Sequence, residues 1–268
     1  MKFSIVTSYY NRKKQFINTL ETIKKSDEID NIEFIVVDDA SDEDHRIEDL
    51  LGVYSFLKLI RIEKRDKWWT NPSIPFNKAI NQSIGDVIIL QNPECLHLGD
   101  IIKNVKDNIN DNNYLTYSVY SISENTTNQL FNLTYNENLF NQINNIIGVK
   151  NNIGFTNIGQ ECWYNHPSYR PCNYHFISAI TKKNMDNLGG FDERYGGGSS
   201  YDDDEFLHRI NLLGLEIKII DEVTGIHQWH YANENRDSEF HNRELKNRYL
   251  FEYITKKLTS PKVKNKIR

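Results

Sequence analysis

The segment Ile32-Glu-Phe-Ile-Val-Val37, followed at once by Asp38-Asp-Ala-Ser-Asp42, sets the architecture. A near-continuous apolar run of this length is what a strand covered on both faces requires, and such strands belong to parallel sheets with helices on either side. Working outward, Phe3-Ser-Ile-Val6 is a short β-rich run that breaks into the polar loop Thr7-Ser-Tyr-Tyr-Asn11. Phe16, Leu20 and Ile23 recur at i, i+4 and i+7, one face of a helix. Phe56 to Ile62 and Val87 to Leu90 read as further strands, with a helix over Pro75 to Ile84 between them. Strands alternating with helices predict right-handed crossovers and a mostly parallel sheet, the α/β class.

Beyond residue 100 the pattern loosens. A helix is predicted over Ile101 to Ile109 and a strand over Tyr114 to Ile122, whereas the Asn-rich stretch Glu124 to Asn152 has little periodicity and no element is assigned to it. Tyr174 to Ile180 is an extended run, followed by Leu188-Gly-Gly-Phe-Asp192. Gly196 to Gly198 precede the acids Asp202 to Glu205, which open a helix carrying Phe206, Ile210 and Leu213. Ile217 to Ile220 is another strand, Arg236 to Leu258 an amphipathic closing helix, and Lys262 to Arg268 a basic tail. With no internal repeat and no Gly/Pro/Ser linker, the expectation is a single domain over 1–230, divided into halves at 1–100 and 101–230, with a C-terminal helix and basic tail over 231–268.

Composition narrows the function. Hydrophobic residues make up 38 % of the 268 and charged residues 26 %, a soluble globular balance. Thirty-two basic against 37 acidic side chains, spread along the chain, argue against nucleic acid as a partner. No apolar run approaches the roughly 20 residues of a membrane span, and the N-terminus enters a strand without a signal-peptide core. Cys95, Cys162 and Cys172 form neither a disulfide framework nor a zinc pair. A cytoplasmic setting is therefore expected, and the Asn, Lys and Ile richness hints at a bacterium or a virus-infected host cell. The basic tail is either a solvated end or a peripheral contact with an anionic membrane surface.

The chain holds no Walker loop, no GxGxxG after a strand, no GxSxG elbow and no HExxH, which removes the commonest dinucleotide, P-loop, hydrolase and zincin readings. In a doubly wound sheet ligands sit beyond the carboxyl ends of the strands. Thr7 and Tyr9 follow the first strand, Asp38 and Asp39 the second. A carboxylate there can accept from a base N–H or a ribose hydroxyl, and a Tyr ring can stack on the base; the same residues can also fix a turn. A second acidic site, Asn92-Pro-Glu94, follows the fourth strand. Arg61 and Arg65, after the third strand, either reach a diphosphate or lie on the surface.

Together these pieces resemble a family 2 glycosyltransferase of the GT-A fold, a Rossmann-like, mostly parallel central sheet flanked by helices with donor and acceptor halves. The resemblance rests on Ile5-Val-Thr-Ser-Tyr-Tyr-Asn-Arg12, Phe34-Ile-Val-Val-Asp-Asp-Ala-Ser-Asp42, Asn77-Lys-Ala-Ile80, Gly190-Phe-Asp-Glu-Arg194 and Asp202-Asp-Asp-Glu-Phe-Leu-His-Arg209, in that order over residues 1–230. It implies that Thr7, Tyr9, Asp39 and Asn77 bind the donor nucleotide, with Arg65 as the candidate for the diphosphate. The metal motif of the family, Asp-x-Asp, aligns with Asn92-Pro93-Glu94, so Mn²⁺ or Mg²⁺ would be held by Asn92, Glu94 and a late histidine, His230 or alternatively His227. The resemblance places the base on Asp203, where the helix dipole favours a carboxylate, and Asp202 beside it to orient acceptor hydroxyls. Gly196 to Gly198 would close over the donor, or form a flexible turn. Trp163, Tyr164, His166 and Arg170 form an aromatic and polar cluster suited to a sugar acceptor, or partly to the core; Trp68 and Trp69 face the same choice.

The expected activity is inverting transfer of a sugar from a nucleoside-diphosphate donor, uridine being the base expected from family frequency, to a hydroxyl of a glycan or glycoprotein. Rival readings are a nucleotide-sugar or glycan-binding module that has lost catalysis, motivated by Asn92, a sugar nucleotidyltransferase, and a structural surface protein. Nucleotidyltransferases need a glycine-rich, arginine-containing first loop, and Thr7 to Arg12 has no glycine.

Overall fold

Strands β1 (Phe3–Tyr9) and β2 (Ile32–Asp38) run parallel, paired from Phe3 against Ile32 to Tyr9 against Asp38. Every residue of β2 is buried, as its apolar run requires. In the computed structural model, which describes residues 1–148, 161–231, 238–257 and Lys262, β3 (Leu57–Arg61) extends this sheet on one side and β4 (Val87–Gln91) on the other, all parallel. Helix α1 (Lys13–Ile23) buries Phe16, Leu20 and Ile23 against one face with Phe34 and Val36. Helix α2 (Ser73–Gln82) covers the other with Val6, Ile35 and Val37. The loop expected at Thr7 is strand as far as Tyr9, because its backbone is paired with β2 throughout.

The second half continues the same sheet. β5 (Cys95–Leu98) lies at the far edge, α3 (Ile101–Asn108) starts at Asp100, whose side chain caps Lys103 N, and β6 (Asn113–Ser121) is buried along its whole length. α4 (Glu124–Leu130) and α5 (Leu139–Ile147) form within the Asn-rich stretch. Leu139, Ile143 and Ile147 pack with Leu96, Tyr120 and Trp163 as a third apolar cluster, a burial that propensity over asparagines does not announce. β7 (Cys162–Asn165) pairs with β6, and β8 (Ile177–Thr181) sits antiparallel between β4 and β6. After α6 (Lys182–Leu188) and α7 (Asp202–Leu212), β9 (Glu216–His227) runs parallel to β6 and the chain enters α8 (Ser238–Thr255). The strand order is β3-β2-β1-β4-β8-β6-β9-β5. Register breaks between Tyr117 and Ser118, whose partners jump from Ile220 to Thr224, so that β9 is re-aimed before it delivers His227. Of the expected basic tail only Lys262 falls among the described residues; 263–268 lie outside them. Among the described residues no helix is long and apolar enough to cross a membrane.

A buried polar brace joins α2, α6 and α7. Arg209, with no exposed surface, bonds both oxygens of Glu205 at 2.6 and 2.7 Å, and donates to the carbonyls of Leu188 and Gly190. Asn77 accepts from Phe191 N at 2.7 Å and donates to Phe191 O and Glu193 Oε1, both at 2.9 Å. Gly190 has φ +78° and a Cβ there would collide with Asn77 Oδ1, so glycine is required. Removing one member of a buried pair strands the other: Arg209→Met should cost about 3–5 kcal/mol. The double variant Glu205→Met/Arg209→Met should recover part of that loss, and chemical denaturation of the three proteins checks both.

Candidate active site

Two adjoining compartments, each of about 570 Å³, open beyond the carboxyl ends of β1, β2 and β4 and share Arg12, Asn92, Asp203 and His230. In the first, Asp39 ends the β2 turn with its side chain buried. Trp69 Nε1 donates to Oδ1 at 2.9 Å, and Lys67 Nζ lies 2.9 Å from Oδ2 and 4.7 Å from the centre of the Tyr10 ring. Burial pushes the Asp39 carboxyl up, against the pull of Lys67 and Trp69. This turn is strained, Ala40 having φ +67°, and Asp38 holds it by accepting from Ser41 N at 2.8 Å.

Four of the five donor candidates lie elsewhere. Tyr9 is not a cleft wall: its ring packs on Phe16 in the core and its hydroxyl donates to His45 O at 2.6 Å, while the next residue, Tyr10, faces the cleft. Thr7 is fully buried and also absent from the cleft lining. Asn77 is committed to the Phe191 backbone, and Arg65, its side chain 85 % exposed beside Asp66, points to solvent. Lys67 supplies the cleft cation instead. Arg61 pairs with Asp38 and Glu48.

At the junction, Glu94 is buried among three basic side chains. Arg12 Nη1 lies 2.6 Å from Oε2, and His227 Nε2 and His230 Nε2 lie 3.1 and 3.5 Å from Oε1. Burial opposes ionisation, but the Arg12 charge and the histidine contacts outweigh it and hold the carboxyl well below the usual range. Burial and the Arg12 charge push His230 the other way, toward neutrality. His230 Nδ1 lies 2.8 Å from the Tyr231 carbonyl, which can only accept, so Nδ1 carries a proton. His227 Nδ1 is buried, with no hydrogen-bond partner among the described residues. The ligand atoms of Glu94, His227 and His230 lie within 4.8 Å of one another. A carboxylate and two imidazoles fit a divalent transition ion. Both His230 and His227 belong to the cluster, and Asn92 stands at its edge with Nδ2 3.5 Å from Glu94 Oε1.

The four acids of α7 are parted by their partners. Asp202 is buried in the first compartment, bonded to Asn71. Asp203, one-third exposed, borders both compartments with Oδ1 2.5 Å from His175 Nδ1. Asp204 accepts from Tyr174 at 2.9 Å, and Glu205 belongs to the Arg209 brace. The backbone enters the helix through Ser200 and Tyr201, both at positive φ.

Of the acceptor candidates, Tyr164 and Arg170 line the second compartment. Arg170 donates to the Tyr164 carbonyl, and the Tyr164 ring lies 4.7 Å from His227. Trp163 and His166 do not line it. Trp163 packs in the third apolar cluster against Tyr120 and Tyr169, and His166 spends Nδ1 on the backbone of Ser168 and Tyr169 while Nε2 faces Asp221 at 3.4 Å. Sequence reasoning had no role for Arg12, Lys67, Asn71 or His175. The one signal for His175 was a titratable residue inside an otherwise apolar extended run.

Residues 4–173 match the family described as Glycosyl transferase family 2. No curated protein matches the chain significantly. Among solved structures, S. aureus TarS 1–349 in complex with UDP-GlcNAc is similar at 17 % identity and TM-score 0.59, over 87 % of this chain and 60 % of that one. GalNAc-T7 with UDP, GalNAc and Mn²⁺ is similar at 13 % identity and TM-score 0.59, over 95 % and 50 %. Mannosyltransferase PcManGT from Pyrobaculum calidifontis, in complex with GDP-Man and Mn²⁺, is similar at 15 % and 0.51, over 88 % and 58 %. At such identities the likeness is one of fold, the GT-A fold. The chain spans 37 % of the longer TarS structure and 60 % or less of the others.

Burial, with Asp203 beside it and His175 opposing, pushes the Asp202 carboxyl from 3.8 up to about 6. An acid raised on folding lowers stability as pH rises: below 3.8 both states hold the proton, up to about 6 the unfolded chain ionises first, and above that the penalty is complete. Asp202→Asn should therefore raise the melting temperature at pH 8 by about 5 °C and scarcely change it at pH 3.5. Thermal unfolding at the two pH values measures this.

Proposed function

This chain belongs to glycosyl transferase family 2, and from that premise we propose that it moves a sugar, with inversion, from a nucleoside-diphosphate donor to a hydroxyl of a glycan or glycoprotein. The observation that carries the reading is Asp203, a partly exposed carboxylate at the boundary of two compartments, one wall of each. The first compartment takes the donor and the second the acceptor, so that residues 1–100 supply most of the nucleotide site and 101–230 the acceptor side. Asp39, fixed by Trp69 and Lys67, accepts from the base or ribose; uridine is favoured by the UDP-GlcNAc bound in TarS. Lys67 and Arg12 provide positive charge toward a diphosphate.

Inverting transfer needs one carboxylate to take the proton of the acceptor hydroxyl as its oxygen attacks the anomeric carbon, while the bond to the diphosphate breaks and the nucleotide leaves with the electron pair. Asp203 takes that proton; Asp202, expected to orient the acceptor, lines only the first compartment and so stands on the donor side. Glu94, His227 and His230 would hold a divalent cation, Mn²⁺ in preference to Mg²⁺ because two of the three donors are imidazoles. When bound it supplies positive charge against the leaving diphosphate. Arg12 occupies Glu94 Oε2, and Oε1 is the oxygen turned to the imidazoles.

The test is a thermal-shift and turnover series with UDP-, dTDP- and GDP-sugars, each with Mn²⁺ or EDTA. A donor at 100 times its dissociation constant stabilises by about 2.7 kcal/mol, a shift of about 5–10 °C. Asp203→Asn should keep that shift and lower nucleotide release by about 10²–10⁴-fold. Equal turnover by Asp203→Asn would remove the base, and binding without turnover by the wild type would make the chain a donor-binding module.

A further inference from the structure

His175 has no part in the transfer as described so far, yet it contacts the reacting carboxylate. Its ring is enclosed edge-on by Phe76 of α2 at 5.2 Å, Phe191 at 5.0 Å and Phe206 of α7 at 6.5 Å. The side chain is 7 % exposed, and Nδ1 lies 2.5 Å from Asp203 Oδ1, an ion-pair contact. We propose that His175 is the positioning residue of the base: its imidazole clamps one oxygen of Asp203, fixing the carboxylate so that the other oxygen is left to take the acceptor proton. This rests on Asp203 being the base.

Three features of the site support the clamp. The three phenylalanines, two of them outside α7, leave the ring little room to turn, so the position of Nδ1 against Asp203 is set by packing. The start of α7 needs setting, because Ser200 and Tyr201 enter it at positive φ and Tyr201 offers no side-chain cap to the helix. The charge also fits. Asp202 and Asp203 are adjacent carboxyls, with Asp204 beyond them bonded to Tyr174, and Cys172, Tyr114 and Tyr174 also face Asp203. Burial disfavours the imidazolium, but Asp203 and Asp202 outweigh burial and raise the pKa of His175 above its ordinary value. In the transfer step the acceptor proton passes to the free oxygen of Asp203, and His175 keeps its own proton throughout.

The clamp can be read without substrate. In NMR titration of the whole chain, the His175 resonance, identified by its loss in His175→Asn, should titrate above the 6.5 of a free imidazole. In Asp203→Asn it should fall by about one unit or more, since the aromatic cage disfavours the cation once its partner is neutral. An unchanged titration in Asp203→Asn overturns the clamp. The catalytic half uses UDP release from UDP-GlcNAc. His175→Phe keeps a ring and loses the donor, and should lower kcat by about 10–100-fold with the donor KM within about threefold. His175→Asn, whose amide can place an N–H near the position of Nδ1, should recover most of kcat. Wild-type kcat in His175→Phe together with a large loss in Asp203→Asn overturns the clamp alone. Wild-type kcat in Asp203→Asn overturns the base assignment itself.

Discussion

A guanidinium with no exposed surface holds the second half of this chain together. Arg209 satisfies both oxygens of Glu205 on its own helix and the carbonyls of Leu188 and Gly190 at the end of α6, so the start of α7 is tied to the loop that follows α6. The same loop is gripped from the other side by Asn77 of α2. Such groups are costly to bury singly, and the arrangement persists because the two charges pair and four of the five guanidinium N–H groups are hydrogen-bonded. Its consequence is positional: about two turns before Arg209, Asp202 and Asp203 are presented to the cleft on a helix that cannot slide. A base must be held to within a fraction of an ångström of productive geometry, and a rigid helix start anchored from beneath provides that.

The site uses opposed charges sparingly. Four consecutive acids would repel if they shared one environment, but the helical turn distributes them to Asn71, His175, Tyr174 and Arg209. Glu94 shows the reverse, one buried carboxylate answered by Arg12 and two histidines. Asp39 is similar, with Lys67 and Trp69 around it. Each carboxylate at the cleft is thus oriented by a basic, N–H or O–H group of a different segment, which is how residues distant in sequence become one constellation.

Much of the first half was legible in the chain. Apolar runs at Phe3 to Val6, Ile32 to Val37 and Val87 to Leu90 became β1, β2 and β4, and the i, i+4, i+7 spacing from Phe16 became the buried face of α1. The second half was less so. β5 and β7 are four residues each, too short for a period to register, and α5 lies among asparagines whose weak helix propensity is overridden by burial of Leu139, Ile143 and Ile147. Within the site, acidic positions were easier to find than their partners. Asp39, Glu94, Asp202 and Asp203 stand out because carboxylates at strand ends and helix starts are conspicuous, whereas Arg12, Lys67 and His175 look ordinary until something faces them.

The sequence by itself determined the class of the protein, α/β with a parallel first half, because strand and helix periods and the polar breaks after each strand are local properties. It also singled out the acidic residues around which a sugar transfer could be built. Only the tertiary structure decided which polar side chains face the cleft. Successive strand residues point to opposite faces, so Ser8 lines the cleft and Tyr9 goes to the core, while Tyr10, just past the strand, returns to the cleft, a choice one residue wide that composition cannot make. Asn77, Trp163 and His166 were drawn away by backbone groups and rings that folding brings beside them. His175 acquired its role because α7 carries Asp203 to it from 28 positions further along the chain, a meeting that exists only once the sheet and the Arg209 brace are in place.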